Sequence, residues 1–280
     1  MGKIYLVPTP IGNLGDITLR ALEVLKSVDL IAAEDTRQSL KLLNHFNIKK
    51  SLISYHKHNE QGKSEELIDR VRNGENIAVI SDAGTPGISD PGGIVLKKCI
   101  ENGIDVEVLP GATAFTTAII YSGLDTSAFI FRGFLPRENK EKKEFVESLK
   151  DRRETIIFYE SPYRVIDTLT FLKENFGNRN IAVCRELTKL HEEIYRGSLE
   201  EAICYFNDNI SKGEFVLVLQ GKSLEEIRNE NVAKWEDMSI KDHIIYFINQ
   251  GMSKKDAIKQ VSKDRELPKS EVYKHSIEIK

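Results

Sequence analysis

The stretch NIAVISDAGTPGISDPGGIVLKKCIENG, residues 76–103, decides how the first half of this chain folds. Its head, NIAVISD (76–82), is a continuous apolar and β-branched run, as expected of a strand buried on both faces. Its tail, GIVLKKCIENG, reads as a helix. Between them lies S-D-A-G-T-P-G-I-S-D-P-G (81–92). Gly84 and Gly87 allow close backbone approach and unusual dihedrals. Pro86 and Pro91 stiffen the loop, and Pro91 suits the first turn of the helix that follows. Asp82 stands at the strand end, where a carboxylate can face a ligand cation or hydroxyl. A turn that binds nothing is the plainer reading, and the length of the pattern weighs against it.

The same strand–loop–helix unit recurs outward from this stretch. IYLVP (4–8), LIAAE (30–34), SLISY (51–55) and DVEVLP (105–110) read as strands. ITLRALEVLKSV (17–28) places Leu19, Leu22, Leu25 and Val28 on one helical face, and TRQSLKLLNHF is a helix with Thr36 as its expected N-cap. SEELIDRVRNG closes at Gly74, and ATAFTTAIIYSG gives a fifth helix. Apolar strands separated by helices imply a parallel sheet covered on both faces, with ligands bound beyond the carboxyl ends of its strands. From about 127 to 220 the pattern shifts to AFIFRGFLP, ETIIFYES, IAVCREL, EEIYRG and EFVLVLQ, the strands of a second α/β unit with a mixed sheet. The expected organisation is two α/β domains, 1–123 and 124–221, a polar linker at 222–239, and a helical unit resembling a helix-turn-helix at 240–280. Gly251 and Pro268 mark the breaks in that last unit.

Hydrophobic residues make up 40% of the 280 and charged residues 30%, the balance of a folded globular chain. No run of about 18 apolar residues marks a membrane span, and MGKIYLVPTP reads as a first strand rather than a signal peptide. Cys99, Cys184 and Cys204 match no metal spacing, so buried reduced thiols and a cytoplasmic setting are expected, with no metal. The net charge of -3 excludes a general polyanion binder, so any nucleic-acid contact must come from local basic patches. Two patches qualify: Arg132, Arg137, Lys140, Lys142 and Lys143, and Lys254, Lys255, Lys259, Lys263, Lys269 and Lys274. Solvated helix faces are the alternative, supported in the first patch by Glu138, Glu141 and Glu144. The G-K-S triplets at 62–64 and 221–223 lack the preceding glycine of a phosphate loop. His56 and His58 have no ligand partners at useful spacing and read as surface residues.

The remaining chemistry clusters at strand ends. P-T-P-I-G-N-L-G-D (8–16) is a rigid turn in which Thr9 and Asn13 can meet a polar ligand or merely support the turn. A-E-D-T-R (33–37) puts two carboxylates beside an arginine, a setting for a general base or for a helix cap, and both can hold for different residues. L-P-G-A-T (109–113) is small enough to admit a flat ligand, although Thr113 also suits a helix start. F-Y-E-S-P-Y-R (158–164) and C-R-E-L-T-K (184–189) bring Tyr159, Glu160, Arg164, Arg185, Glu186 and Lys189 towards a cleft or into surface ion pairs.

Taken together, YLVPTPIGNLGDIT, IAAEDTR, SDAGTPGISDPG, LPGAT, FRGFLPR, FYESPYRV and CRELTKLHEE, spread in order over positions 5–193, resemble the tetrapyrrole methylase-like superfamily. The AEDTR, FLPR and RELTK versions resemble its ribosomal-RNA branch. The resemblance implies two α/β domains of the class III type around a cleft for S-adenosylmethionine, and a homodimer. It implies 2'-O-methylation of a cytidine ribose in the decoding region of 16S ribosomal RNA of the small subunit. It carries the cofactor-binding role to Pro10, Gly12, Asp82, Gly84, Thr85, Ile88, Thr113 and Tyr159. A ribose hydroxyl is a weak nucleophile, so Glu34, Asp35 and Asp82 are the candidates for a base, with Arg37, Arg185 and Lys189 orienting phosphate or raising acidity. A tetrapyrrole-precursor methyltransferase on the same scaffold, and a non-catalytic RNA-binding ribosome-assembly protein, are the rival readings.

Overall fold

The computed structural model describes residues 1–208, 212–227, 234–235, 237–277 and 279. Its first compact unit comprises Met1–Val146 and Thr155–Gln220 and contains both sheets. The first sheet consists of β1 (Ile4–Leu6), β2 (Leu30–Ala33), β3 (Ser51–Ser54), β4 (Ile77–Ile80) and β5 (Val106–Val108) in the order β3-β2-β4-β1-β5. Every pairing in it is parallel. The helices α1 (Leu19–Ser27), α2 (Thr36–His45), α3 (Glu60–Arg72), α4 (Gly93–Glu101) and α5 (Ala114–Ser122) follow these strands in turn.

Alternate strand residues feed two separate cores. Ile4, Leu6, Leu30, Ala32, Ile77 and Val79 pack against Leu67, Val71, Val95 and Cys99 of α3 and α4. Val7, Ile31, Ala33, Ala78 and Ile80 pack against Ala21, Leu25 and Leu43 of α1 and α2. This double burial is why the strands read as unbroken apolar runs. Each fully buried Ile, Leu or Val contributes about 1.5–3 kcal/mol relative to exposure.

The second sheet is mixed, with β6 (Phe129–Phe134), β7 (Thr155–Glu160), β8 (Asn180–Arg185), β9 (Glu193–Ser198) and β10 (Phe215–Leu219) in the order β6-β7-β10-β8-β9. Only β6 and β7 pair in parallel. The helices α6 (Asn139–Glu147), α7 (Val165–Phe176) and α8 (Leu199–Asp208) complete this half. Ile11, from the loop after β1, enters the core formed by Ala118 and Ile119 of α5 with Ile157, Ala182, Val216 and Val218 of the second sheet. The two sheets therefore belong to one unit.

The second unit comprises Glu147–Glu154 and Gly221–Lys280. Its helices are α9 (Ile240–Asn249), α10 (Lys254–Asp264) and α11 (Lys269–Ser276). Ile244, Ala257, Val261 and Val272 form its core, with Ile240, Phe247, Ile248 and Leu267 packed around them. Ser239 and Ser253 cap α9 and α10 by accepting from the Asp242 and Asp256 backbone N–H groups. Part of the expected linker, 228–233 and 236, lies outside the described residues, while Trp235 stacks on the buried His243 at 3.7 Å.

Three local expectations need correction. The N-cap of α2 is Asp35 rather than Thr36; its carboxylate accepts from the Arg37 N–H at 2.8 Å and Thr36 becomes the first helical residue. Cys99 and Cys184 are buried, but Cys204 is exposed. His56 is half-buried, and its backbone N–H donates to the Asn59 side chain at 2.8 Å.

Candidate active site

Because the first sheet is parallel, all its carboxyl-end loops gather at one edge, and the strand order decides which loops touch. β1 pairs with β4, so Thr9 and Gly84 exchange backbone hydrogen bonds of 2.9 and 3.0 Å. The Thr9 hydroxyl also donates to the Ser81 carbonyl at 3.1 Å. β2 pairs with β4 on the other side, and this places Glu34 beside Asp82. The Asp82 N–H donates to Glu34 Oε2 at 3.3 Å, and the Asp35 N–H donates to Asp82 Oδ1 at 3.0 Å. β5 pairs with β1, so Thr113 meets Thr85, their hydroxyls 2.9 Å apart.

These loops and the facing edge of the second sheet enclose a cavity of about 370 Å³. That is within the range of small-molecule sites. Ile11, Glu34, Asp82, Gly84, Thr85, Ile88, Ser89, Asp90 and Thr113 line one side. Phe134, Tyr159, Glu160, Leu187, Glu214 and Val216 line the other. Gly84 sits at φ +80°, a region that disfavours a side chain, and turns the loop along the cavity wall. Ser89 holds φ +64° without being glycine, as do Glu186 at +51° and Thr188 at +64°. Non-glycine residues in this region store backbone strain, and such strain gathers at functional sites.

Of the residues singled out from the sequence, Glu34, Asp82, Gly84, Thr85, Ile88, Thr113 and Tyr159 stand in the cavity wall. Pro10 and Gly12 flank Ile11 outside it. A Cβ on Gly12 would lie 2.5 Å from Lys189 Cγ and 2.9 Å from the Leu187 carbonyl oxygen, so this glycine lets the first loop close on the second sheet's loop. Asp35 and Arg37 pair with each other at 2.7 Å beside the cavity, with the arginine side chain 87% exposed. Arg185 is ion-paired to Glu193 at 2.6 Å, and Lys189 to Glu186 and Glu214 at 2.9 and 2.8 Å. Asp90, Phe134 and Leu187 were not singled out. Asp90 lies inside the 81–92 stretch, but its local sequence does not distinguish it from any acid at a helix start.

The carboxylates in and beside the wall differ sharply in electrostatics. The Arg37 guanidinium bonded to Asp35 holds that carboxyl down to about 2. Burial raises Glu34 and Asp82, and each is raised further by a neighbouring negative charge. Asp90 is pushed up to about 7 by burial and then by the charges of Glu34, Asp82 and Glu214. Among the described residues it accepts no hydrogen bond and forms no ion pair. Burial also pushes the Tyr159 hydroxyl up to about 12.

Residues 3–203 match the family model described as Tetrapyrrole (Corrin/Porphyrin) Methylases. The chain belongs to this family. It is 50% identical over 273 residues, 98% of this chain and 93% of the relative, to a Bacillus subtilis (strain 168) protein called ribosomal RNA small subunit methyltransferase I. A Thermotoga maritima protein of the same name is 46% identical over 222 residues, 79% of this chain and 100% of the relative. A crystal structure of uroporphyrin-III-C-methyltransferase from Thermus thermophilus superimposes with TM-score 0.57 at 21% identity, covering 78% of this chain and 94% of that one; at this identity the likeness concerns the fold. As a member of the methylase family the chain is a methyltransferase, and its methyl donor is S-adenosylmethionine.

The cavity suits this donor. Its open backbone at Gly84 and its apolar side chains Ile11, Ile88, Leu187 and Val216 offer a wall for a flat heterocycle. Glu34, Asp82 and Asp90 crowd one side of the wall, and Asp90 forms no hydrogen bond or ion pair among the described residues; such a carboxylate cluster suits a ligand carrying a sulfonium and an ammonium.

Proposed function

We propose that this chain methylates a ribose 2'-hydroxyl of a cytidine in the decoding region of 16S ribosomal RNA, in the small ribosomal subunit. The observation that carries the reading is the carboxylate-rich cavity at the carboxyl ends of the first sheet in a methylase fold. Its substrate rests on the likeness, over nearly the whole chain, to relatives named for that RNA.

When bound, S-adenosylmethionine supplies a methyl group already activated on sulfur, so the protein's task is alignment and proton removal. Gly84, Thr85, Ile88 and Thr113 form the binding wall with Asp82 and Tyr159, and Pro10 and Gly12 hold the Ile11 loop against it. Asp90 takes the hydroxyl proton, assisted by Glu34. A carboxylate near 7 is matched to proton transfer at neutral pH far better than Asp35 near 2. Asp35 instead caps α2 and holds Arg37, whose exposed guanidinium reaches towards phosphate. Arg185 and Lys189 support the facing loop through their ion pairs, and add positive charge at the RNA side.

A homodimer and a cytoplasmic setting go with this reading. Ile120 on α5 and Leu190 are exposed at 71% and 92%, apolar surface that a second copy can cover. Among the described residues no helix is long and apolar enough to cross a membrane.

The test is transfer of labelled methyl from S-adenosylmethionine to small subunits lacking this modification, with mapping of the labelled nucleotide. Label at one cytidine ribose is the expected result. Label on a tetrapyrrole precursor and none on the RNA would replace the substrate, and binding of RNA with no transfer would leave only an assembly role.

A further inference from the structure

The C-terminal unit carries a row of positive charge that its own structure does not use. Lys255, Lys259 and Lys263 recur every four residues along α10. At 1.5 Å per residue they stand about 6 Å apart along the axis and stay within one face. All three are exposed, and none forms a hydrogen bond or ion pair among the described residues. Lys269, at the start of α11, borders the same groove as Lys259 and Lys263, together with Met252, Asp256, Gln260 and Ser262.

Two acids of α10 already have partners within the unit. Asp256 accepts from the Ser253 hydroxyl at 2.6 Å in the α10 cap. Asp264 accepts from Gln260 at 2.7 Å and stands 3.7 Å from the buried His243. Like charges at i, i+4 destabilise a helix by a few tenths of a kcal/mol per pair; of the three lysines only Lys263 acts on an acid, Asp264, and none of the three forms an ion pair among the described residues. The first basic patch behaves differently: the Arg132 guanidinium lies 4.4 Å from the Phe145 ring centre and Lys142 lies 5.4 Å from that of Phe171. Those cations are partly engaged with aromatic rings within their own unit.

Two further observations separate this surface from the chemistry. Its helices have their own core, made without any residue of the sheets. The Thermotoga maritima relative is matched along its whole length by 222 residues, 79% of this chain, so a protein of the same name is shorter than this one.

We propose that the α10–α11 face, through Lys255, Lys259, Lys263 and Lys269, docks on the phosphate backbone of folded RNA and holds the substrate without taking part in methyl transfer. The proposal rests on the ribosomal-RNA reading above for the identity of that RNA. The partner is RNA rather than an acidic protein because three lysines recur at a regular spacing along one helix face with a fourth beside the same groove, an array suited to phosphates spaced along a backbone.

The experiment uses the full chain with Lys255→Gln, Lys259→Gln and Lys263→Gln combined, and a matching triple Lys→Arg variant. Binding to deproteinised 16S ribosomal RNA, to an unstructured single strand and to small subunits is measured across a salt series. The triple Gln variant is expected to bind folded RNA at least tenfold more weakly near 0.15 M salt. Its slope of log affinity against log salt should be shallower by about 2–3. S-adenosylmethionine affinity and kcat should hold while KM for the RNA substrate rises, and the Arg variant should behave as the parent. Unchanged affinity and slope would overturn the proposal. So would binding to subunits but not to free RNA, which points to a protein partner, or equal preference for the single strand. Lysine-dependent binding with no methyl transfer would sink the functional reading alone, whereas transfer with unchanged binding in the Gln variant would sink only this inference.

Discussion

Two carboxylates on opposite sides of the same cavity, Asp90 and Glu160, have opposite relations to their surroundings. Glu160, at the end of β7, has a fully buried side chain and is fully served. It accepts from the Thr168 hydroxyl at 2.7 Å and the Ser161 N–H at 2.8 Å, and pairs with Arg164 at 3.4 Å. Asp90, at the start of the α4 segment, is half-buried among other acids with no donor within reach. The first is a brace for the second sheet. The second is a group whose partner is absent from the folded chain, which is the condition of a residue kept for a ligand or a reaction.

The largest expected effect tests the Asp90 side of this contrast. Asp90→Asn should lower kcat for RNA methylation by about 10²- to 10⁴-fold. Its melting temperature should hold or rise above neutral pH, where the substitution removes a half-buried carboxylate that has no partner. Near-parental turnover in a single-turnover assay would break the contrast. Glu160→Ala should do the reverse. Leaving Thr168, Ser161 and Arg164 without their acceptor costs about 3 kcal/mol in denaturant unfolding, with donor affinity reduced less than stability. A Glu160 variant as stable as the parent would show that its bonds are ornamental.

Gly12→Ala probes the seam between the two sides. The added methyl meets the Leu187 carbonyl, so a loss of about 1–3 kcal/mol from overpacking is expected, with weaker donor binding as the Ile11 loop shifts. The smallest effect is in pH. A carboxyl raised from 3.8 to about 7 by folding favours the folded state fully below its unfolded value, and that contribution is lost as pH rises through 7. A bound cation reverses the balance by stabilising the ionised form. Titration calorimetry in buffers of different ionisation heat should therefore detect up to one proton released on S-adenosylmethionine binding near pH 6, and affinity should rise between pH 5 and 7. Both trends should vanish in Asp90→Asn.

Much of the fold was legible because its signals are local. The apolar runs at 4–8, 30–34 and 76–82 became β1, β2 and β4 to within two residues, and the run ATAFTTAIIYSG became α5, ended by Gly123 in the left-handed region. Asp35 and Thr36 are both good caps for α2 by residue type, and only backbone geometry separates them: Asp35 is extended at φ -117°, ψ 109°. That geometry also resolves AEDTR, with Asp35 serving the helix and Glu34 facing the cavity.

The sequence by itself determined the alternation of strands and helices, the glycine- and proline-rich loops at strand ends, and the chemistry those loops carry. Periodicity and turn residues act over a few positions, and a single chain displays them openly. Tertiary structure alone decided which loops meet, because the order β3-β2-β4-β1-β5 brings together residues 48 positions apart, as in the Asp82–Glu34 bond. It also decided which acid lacks a partner. A side chain's need for a donor is fixed by its type, but whether one arrives depends on every element packed around it.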